Sequence, residues 1–104
     1  METDDLVLFV RVAELGSLTA AGRDLRLTPA VVSSRLMRLE KKLGMRLLNR
    51  TTRQVDLTPD GHNFLQHSLK ILEAVDEAQS AAALNRDSPV GSLKVSAPVG
   101  FARL

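Results

Sequence analysis

Two Thr-Pro pairs, Thr28-Pro29 and Thr58-Pro59, with Gly44 between them, constrain this chain more than any other feature. A threonine ahead of a helix accepts a hydrogen bond from a first-turn N–H, and proline at the first helical position gives up no bonded donor. Glycine adopts the left-handed conformation that stops a helix. The three marks predict a helix from Thr28-Pro29 to Gly44 and a second helix opening at Thr58-Pro59. Between them Val55 and Leu57 alternate with Gln54 and Asp56, which is strand character. A short basic hairpin over about 46–57 is expected there, with Arg50-Thr51-Thr52-Arg53 at its tip.

Before the first Thr-Pro pair, Leu6, Phe9, Val10 and Ala13 recur at the spacing of one buried helical face. Asp4 and Asp5 suit the start of that helix, and Gly16 follows its end. Thr19 is expected to cap a short second helix over about 20–25, where the small residues Ala20, Ala21 and Gly22 permit close helix approach. Arg26-Leu27 makes the turn. In the third helix Val32, Leu36, Leu39 and Leu43 form a core stripe. The opposite face then presents Ala30, Ser33, Ser34 and Met37, flanked by Arg35 and Arg38. Short uncharged side chains at the front of that face let a helix approach base edges closely. Free N–H groups at the helix start attract phosphate oxygens, which makes Thr28 an anchor candidate.

Net charge is only +2, but its distribution is uneven. Residues 21–58 carry nine Lys or Arg against three acids, net +6, while residues 1–20 and 59–87 are each net −3. A basic middle between acidic flanks is the focused patch that phosphate binding needs. Two cations bracketing two hydroxyls at the hairpin tip add donors for a DNA backbone, and a long Arg can enter a minor groove.

From Thr58 a long helix is expected over 59–84, spanning about 40 Å at about 1.5 Å per residue. Leu65, Leu69, Leu72, Val75, Ala78 and Ala82 hold a three- or four-residue spacing along it, widened by Phe64 and Ile71. A stripe longer than its own domain needs a partner, most simply the same helix of a second subunit. Packing back on its own domain is the competing reading. Asn85-Arg86-Asp87-Ser88-Pro89 then reads as a break, opening a hinge over 85–92. Leu93-Lys94-Val95-Ser96-Ala97 alternates like a strand with no partner strand beyond the small hairpin.

Together these motifs resemble the N-terminal region of the LysR-type transcriptional regulators. The likeness runs from Leu6 to about Ala97. It is carried by Phe9, Ala13 and Gly16-Ser17-Leu18-Thr19-Ala20-Ala21, by Leu25, Thr28, Ser33 and Leu36-Met37-Arg38-Leu39-Glu40, and by Leu43-Gly44 with Arg46-Leu47-Leu48. Leu57-Thr58-Pro59-Asp60-Gly61 completes it, and Arg50-Thr51-Thr52-Arg53 is similar to the wing of one large subgroup. The resemblance implies a mainly α fold: a winged helix-turn-helix of three helices and a two-stranded wing over 1–58, with the helix-turn-helix at about 18–37. A linker and dimerisation helix at 59–84 and the first strand of a truncated effector-binding domain at 93–104 would follow. It implies a sequence-specific double-stranded DNA-binding regulator, homodimeric through the linker helix and tetrameric at full length, on an inverted-repeat operator. A small-molecule effector would bind only in the C-terminal domain.

Carried over by position, the DNA-contacting set is Thr28, Pro29, Ala30, Ser33, Ser34 and Arg35, with Arg50, Thr51, Thr52 and Arg53 from the wing. Many members have Gln where Pro29 stands and Arg where Ser34 stands, and both of those reach base edges directly. The base preference of typical members therefore does not transfer, which leaves Arg35 or Arg38 to take over those contacts.

Other chemistries find little support. There is no Cys, hence no disulfide framework or thiolate metal site, and no cofactor or metal is expected. The two histidines, His62 and His67, fall about 140° apart on a helix, the wrong spacing for a same-face metal pair. No Gly-rich phosphate loop and no nucleophile with its base is evident, so no enzyme is expected. Without a basic leader or long apolar run, a cytoplasmic location is the expectation. The scarcity of aromatics argues against RNA, whose splayed bases need stacking partners. A protein-interaction module built on the long helix, its winged domain no longer on DNA, is the remaining alternative.

Overall fold

A computed structural model of the chain describes residues 1–50 and 54–87. In order these form α1 (Thr3–Leu15), α2 (Leu18–Leu25), α3 (Pro29–Leu43), β1 (Leu48–Arg50), β2 (Val55–Leu57) and α4 (Pro59–Asp87). The fold is a winged helix-turn-helix followed by a long helix. Two compact units divide the chain, Met1–Leu69 and Lys70–Leu104, the boundary falling inside α4.

Local chemistry sets most element ends. The Glu2 amide donates to the Asp5 carboxylate at 3.0 Å at the start of α1. Gly16 and Gly44, both left-handed at φ 66° and 70°, end α1 and α3. Thr28 accepts from the Val31 amide at 3.2 Å and caps α3 ahead of Pro29, as its sequence position predicts. The cap of α2 differs from expectation. Ser17, extended after the left-handed Gly16, accepts from the Ala20 amide at 3.1 Å, so the helix opens at Leu18 and Thr19 lies inside its first turn.

The turn between α2 and α3 is tight. Arg26 holds a left-handed φ of 62°, and the Leu27 amide donates to the Gly22 carbonyl at 2.7 Å. A Cβ on Gly22 would stand 2.5 Å from the Leu27 carbonyl oxygen and 3.2 Å from a Val32 methyl. That glycine thus serves the turn as well as the close helix approach that its small size permits.

Leu8, Phe9 and Val12 of α1, Ala21 of α2, Val32, Leu36 and Leu39 of α3, and Leu47 and Leu48 at the wing base form one core. Leu8 and Val12 lie deeper than Ala13, which is only half-buried, because α1 is covered by more than one neighbour. Phe64 and Leu65 of α4 close the core, with the Phe64 ring 5.4 Å from that of Phe9 at a 55° tilt. Leu65, expected in the dimerisation stripe, is thus occupied by its own domain.

The wing strands pair antiparallel, with Leu48 opposite Leu57, Asn49 opposite Asp56 and Arg50 opposite Val55. Thr58 joins wing to helix: its hydroxyl donates to the Arg46 carbonyl at 2.6 Å and accepts from the Gly61 amide at 2.8 Å. A Cβ on Gly61 would fall 2.1 Å from the Leu47 carbonyl oxygen, so only glycine lets the first turn of α4 lie there.

The long helix runs to Asp87 rather than Leu84, so Asn85, Arg86 and Asp87, expected to open the hinge, are helical. Proline disfavours helix from the residue before it, here Ser88, and places no such limit on residues 85–87. The rest of the expected hinge and the strand expected at 93–104 lie outside the described residues. Among the described residues no helix is long and apolar enough to cross a membrane.

Candidate nucleic-acid interface

Helix α3 carries two opposed stripes. Val32, Leu36 and Leu39 are buried, with Leu43 packed beside them. Ala30, Ser34, Met37 and Lys41 repeat the same spacing two residues earlier, and all four are exposed. Two residues turn a helix by about 200°, so the second stripe lies opposite the core by construction. The face expected from the sequence therefore holds, with one addition at its far end, Lys41. A lysine in a last turn reads first as a complement to the helix dipole, which masks any second role.

Thr28 and Pro29 are exposed at the start of this face, and Ser33 is half-buried at its edge. Arg38 is exposed on the flank. Arg35 leans toward α1, where its guanidinium lies 3.7 Å from the Asp5 carboxylate. At that distance, with its side chain 29% exposed, the pair is a weak tether.

Arg50, expected among the wing cations, has an acid partner within the fold. Its Nη2 reaches the Glu40 carboxylate at 3.4 Å, and its Nε is buried without a hydrogen-bond partner. It pairs across the wing base with an acid of α3. Thr51, Thr52 and Arg53, the other expected wing contacts, lie outside the described residues.

Glu40 belongs to the sequence motif but has no role that the sequence assigns. It is buried, and its Oε2 accepts from the Leu47 amide at 2.8 Å and the Leu48 amide at 3.1 Å. It sits one residue beyond the core position Leu39, on the edge of α3 that faces the chain leading into β1. A lone acid among the basic residues 35–50 is the signal that the sequence does carry.

One acid outside α3 within the basic segment has its own cation. Asp24 on α2 receives the Arg11 Nε at 2.8 Å, and that carboxylate, with help from Glu14, raises the Arg11 pKa above its ordinary value. His62 and His67 are both exposed, and among the described residues no group of three or more His, Cys, Asp or Glu could hold a metal.

On the long helix the expected dimerisation residues divide. Leu65 belongs to the core of its own unit, whereas Leu69 is 42% exposed. In the second unit Leu72 and Val75 are half-buried, and Ile71, Ala78 and Ala82 are exposed.

Comparison with known proteins gives a consistent picture. The family model described as "Bacterial regulatory helix-turn-helix protein, lysR family" matches residues 3–62. The chain is 37% identical to a probable HTH-type transcriptional regulator LtrA of Klebsiella pneumoniae, over 95% of this chain and 32% of that protein. It is 38% identical to the HTH-type transcriptional regulator CrgA of Neisseria meningitidis serogroup C, over 89% of this chain and 31% of that one. The chain thus spans about a third of the length of these curated relatives. Among solved structures, the BenM DNA-binding domain complexed with catB site 1 DNA superposes with a TM-score of 0.81 at 36% identity, covering 85% of this chain and 98% of that one. The CbnR DNA-binding domain complexed with DNA gives 0.77 at 34% identity, covering 80% and 95%.

Proposed function

The chain belongs to the lysR family of bacterial regulatory helix-turn-helix proteins, and from that premise we propose that it binds double-stranded DNA sequence-specifically, with α3 in the major groove. The observation that carries this reading is the exposed Ala30, Ser34, Met37, Lys41 stripe diametrically opposite the core stripe. Small side chains lead, cations follow, and the surrounding segment is the most basic of the chain. Those are the requirements for a backbone to approach base edges while phosphates are neutralised alongside. The DNA complexes of the BenM and CbnR domains support DNA binding by likeness.

Roles follow from placement. Thr28 presents the free amides of a helix start to a phosphate, Ser33 and Ser34 face base edges, and Arg38 and Lys41 meet the flanking backbone. Arg35 joins them by exchanging Asp5 for a phosphate. Thr51, Thr52 and Arg53 are retained as wing contacts on sequence grounds. A dimer through α4 would place two such helices on an inverted repeat. Tetramer formation, a small-molecule effector and a cytoplasmic site of action belong to the proposal for the full-length regulator.

The test is the salt dependence of binding to a duplex. Removing one cation from a phosphate should lower the slope of log K against log salt by about 0.9, so Arg38→Ala should shift it by that amount per subunit. Binding that is absent or insensitive to salt would favour the interaction-module reading.

A further inference from the structure

Met37 is 56% exposed, more than any other large apolar side chain among the described residues. It stands on the stripe that otherwise consists of Ala30, Ser34 and Lys41, each exposed. Ala30 and Ser34 hold the backbone close to whatever the stripe meets, so the longer Met37 side chain projects beyond them. From Ala30 to Met37 the helix rises about 10 Å at about 1.5 Å per residue, less than the about 12 Å width of a major groove. Lys41 follows one turn later on the same exposed stripe.

A thioether has no hydrogen-bond donor and is a poor acceptor, so Met37 cannot read the polar edges of G, C or A. The one apolar group exposed in the major groove is the 5-methyl of thymine. Met37 shares an open groove of about 720 Å³ with Met45; Lys41 and Arg46 also line it, as do Arg50 and the Glu40 carboxylate with which it pairs. Cations beside an apolar wall suit a polyanion carrying methyl groups better than an apolar protein helix.

We infer that Met37 is a specificity-determining residue that packs on the 5-methyl group of a thymine in each half-site. The inference rests on the DNA-groove reading above and adds a base to it. Being unbranched and soft, methionine adapts to that methyl without imposing a rigid rotamer.

Replacing thymine by deoxyuridine removes the methyl alone and leaves every hydrogen-bonding edge in place. The probe is the duplex this chain selects from a random pool, with each thymine changed singly to deoxyuridine. At one position per half-site the change should weaken binding by wild-type protein about fourfold, the equivalent of one buried methyl. Met37→Ala should bind the thymine and deoxyuridine forms of that position equally, and Met37→Gln should no longer select thymine there. Deoxyuridine costs that are absent, or unchanged in Met37→Ala, would overturn the assignment while leaving DNA binding intact. Uniform weakening of Met37→Ala across all duplexes would make Met37 a protein contact and equally overturn it. If the pool yields no enriched sequence at all, the DNA-binding reading itself fails. Urea denaturation of both variants checks that the fold is kept.

Discussion

The Glu40 carboxylate accepts the Leu47 amide at 2.8 Å, tying the last part of α3 to the chain that enters the wing. The same oxygen takes the Leu48 amide, and both bonds are buried. Two consecutive amides converging on one carboxylate leave neither strand nor solvent to replace it. Glu40→Ala should therefore cost about 2–4 kcal/mol, the penalty of stranding two buried donors. Glu40→Gln, whose carbonyl oxygen can still accept, should cost about 1 kcal/mol. Arg50→Met should cost about 1–3 kcal/mol, because it leaves the buried Glu40 carboxylate without its cation, while the length of the 3.4 Å pair and the two amides that Glu40 keeps hold the loss below that of a tight buried pair. Urea denaturation of the three variants checks the order, and equal losses for Ala and Gln would refute the role given to Glu40.

Gly61→Ala should destabilise the protein although it raises helix propensity. Alanine in a helix ordinarily gains about 1 kcal/mol over glycine. Here the added carbon would sit 2.1 Å from the Leu47 carbonyl oxygen, a backbone atom that cannot rotate away. A net loss of about 1–3 kcal/mol is expected, with the wing base displaced. A stabilised Gly61→Ala variant in thermal melts would contradict the close approach.

Much of this architecture is legible in the sequence where the cause is local. Thr28 and Thr58 cap their helices because a hydroxyl, a proline and a following apolar pattern lie within a few residues of each other. The Val32, Leu36, Leu39 stripe is likewise a matter of period. What escapes is set at a distance. Glu40 acquires its meaning from amides seven and eight residues along, and Arg50 meets the same carboxylate from ten residues along. Ser17 and Thr19 are equivalent capping residues by type, and the left-handed turn at Gly16 decides between them. The outward face of α3 follows from the inward one, but Lys41 and the reach of each arginine do not.

Ser68 should be improved by losing its hydroxyl. It is fully buried on α4, and its Oγ has no hydrogen-bond partner. Ser68→Ala removes an uncompensated buried polar atom and places the best helix former there. A gain of about 1 kcal/mol is expected, read as a raised urea midpoint at constant slope. A loss of stability would mean that the hydroxyl is satisfied in solution.

Leu65 and Leu69 are one helical turn apart, yet they should fail differently. Leu65 packs against the core of its own unit, so Leu65→Ala should cost about 2 kcal/mol of unfolding free energy. Leu69 is exposed, so Leu69→Glu should leave the protomer's stability within about 0.5 kcal/mol. If α4 pairs two subunits, Leu69→Glu and Leu72→Glu should shift sedimentation toward monomers, while Leu65→Ala leaves the association intact. A dimer unaffected by both glutamates would place the subunit contact elsewhere.

The hydroxyl of Thr58 both gives a proton to the Arg46 carbonyl and receives one from the Gly61 amide. That double duty limits the chemistry an evolving lineage could try at this position. Aspartate, ordinarily as good a helix cap as threonine, would accept from Gly61 but has no proton for Arg46 at neutral pH. It would instead set a negative oxygen against a carbonyl. Asparagine supplies both functions on two atoms, not one, and alanine supplies neither. Serine alone reproduces the donor and the acceptor at a single point, so variation at residue 58 is confined by the accounting of protons and not by the room available.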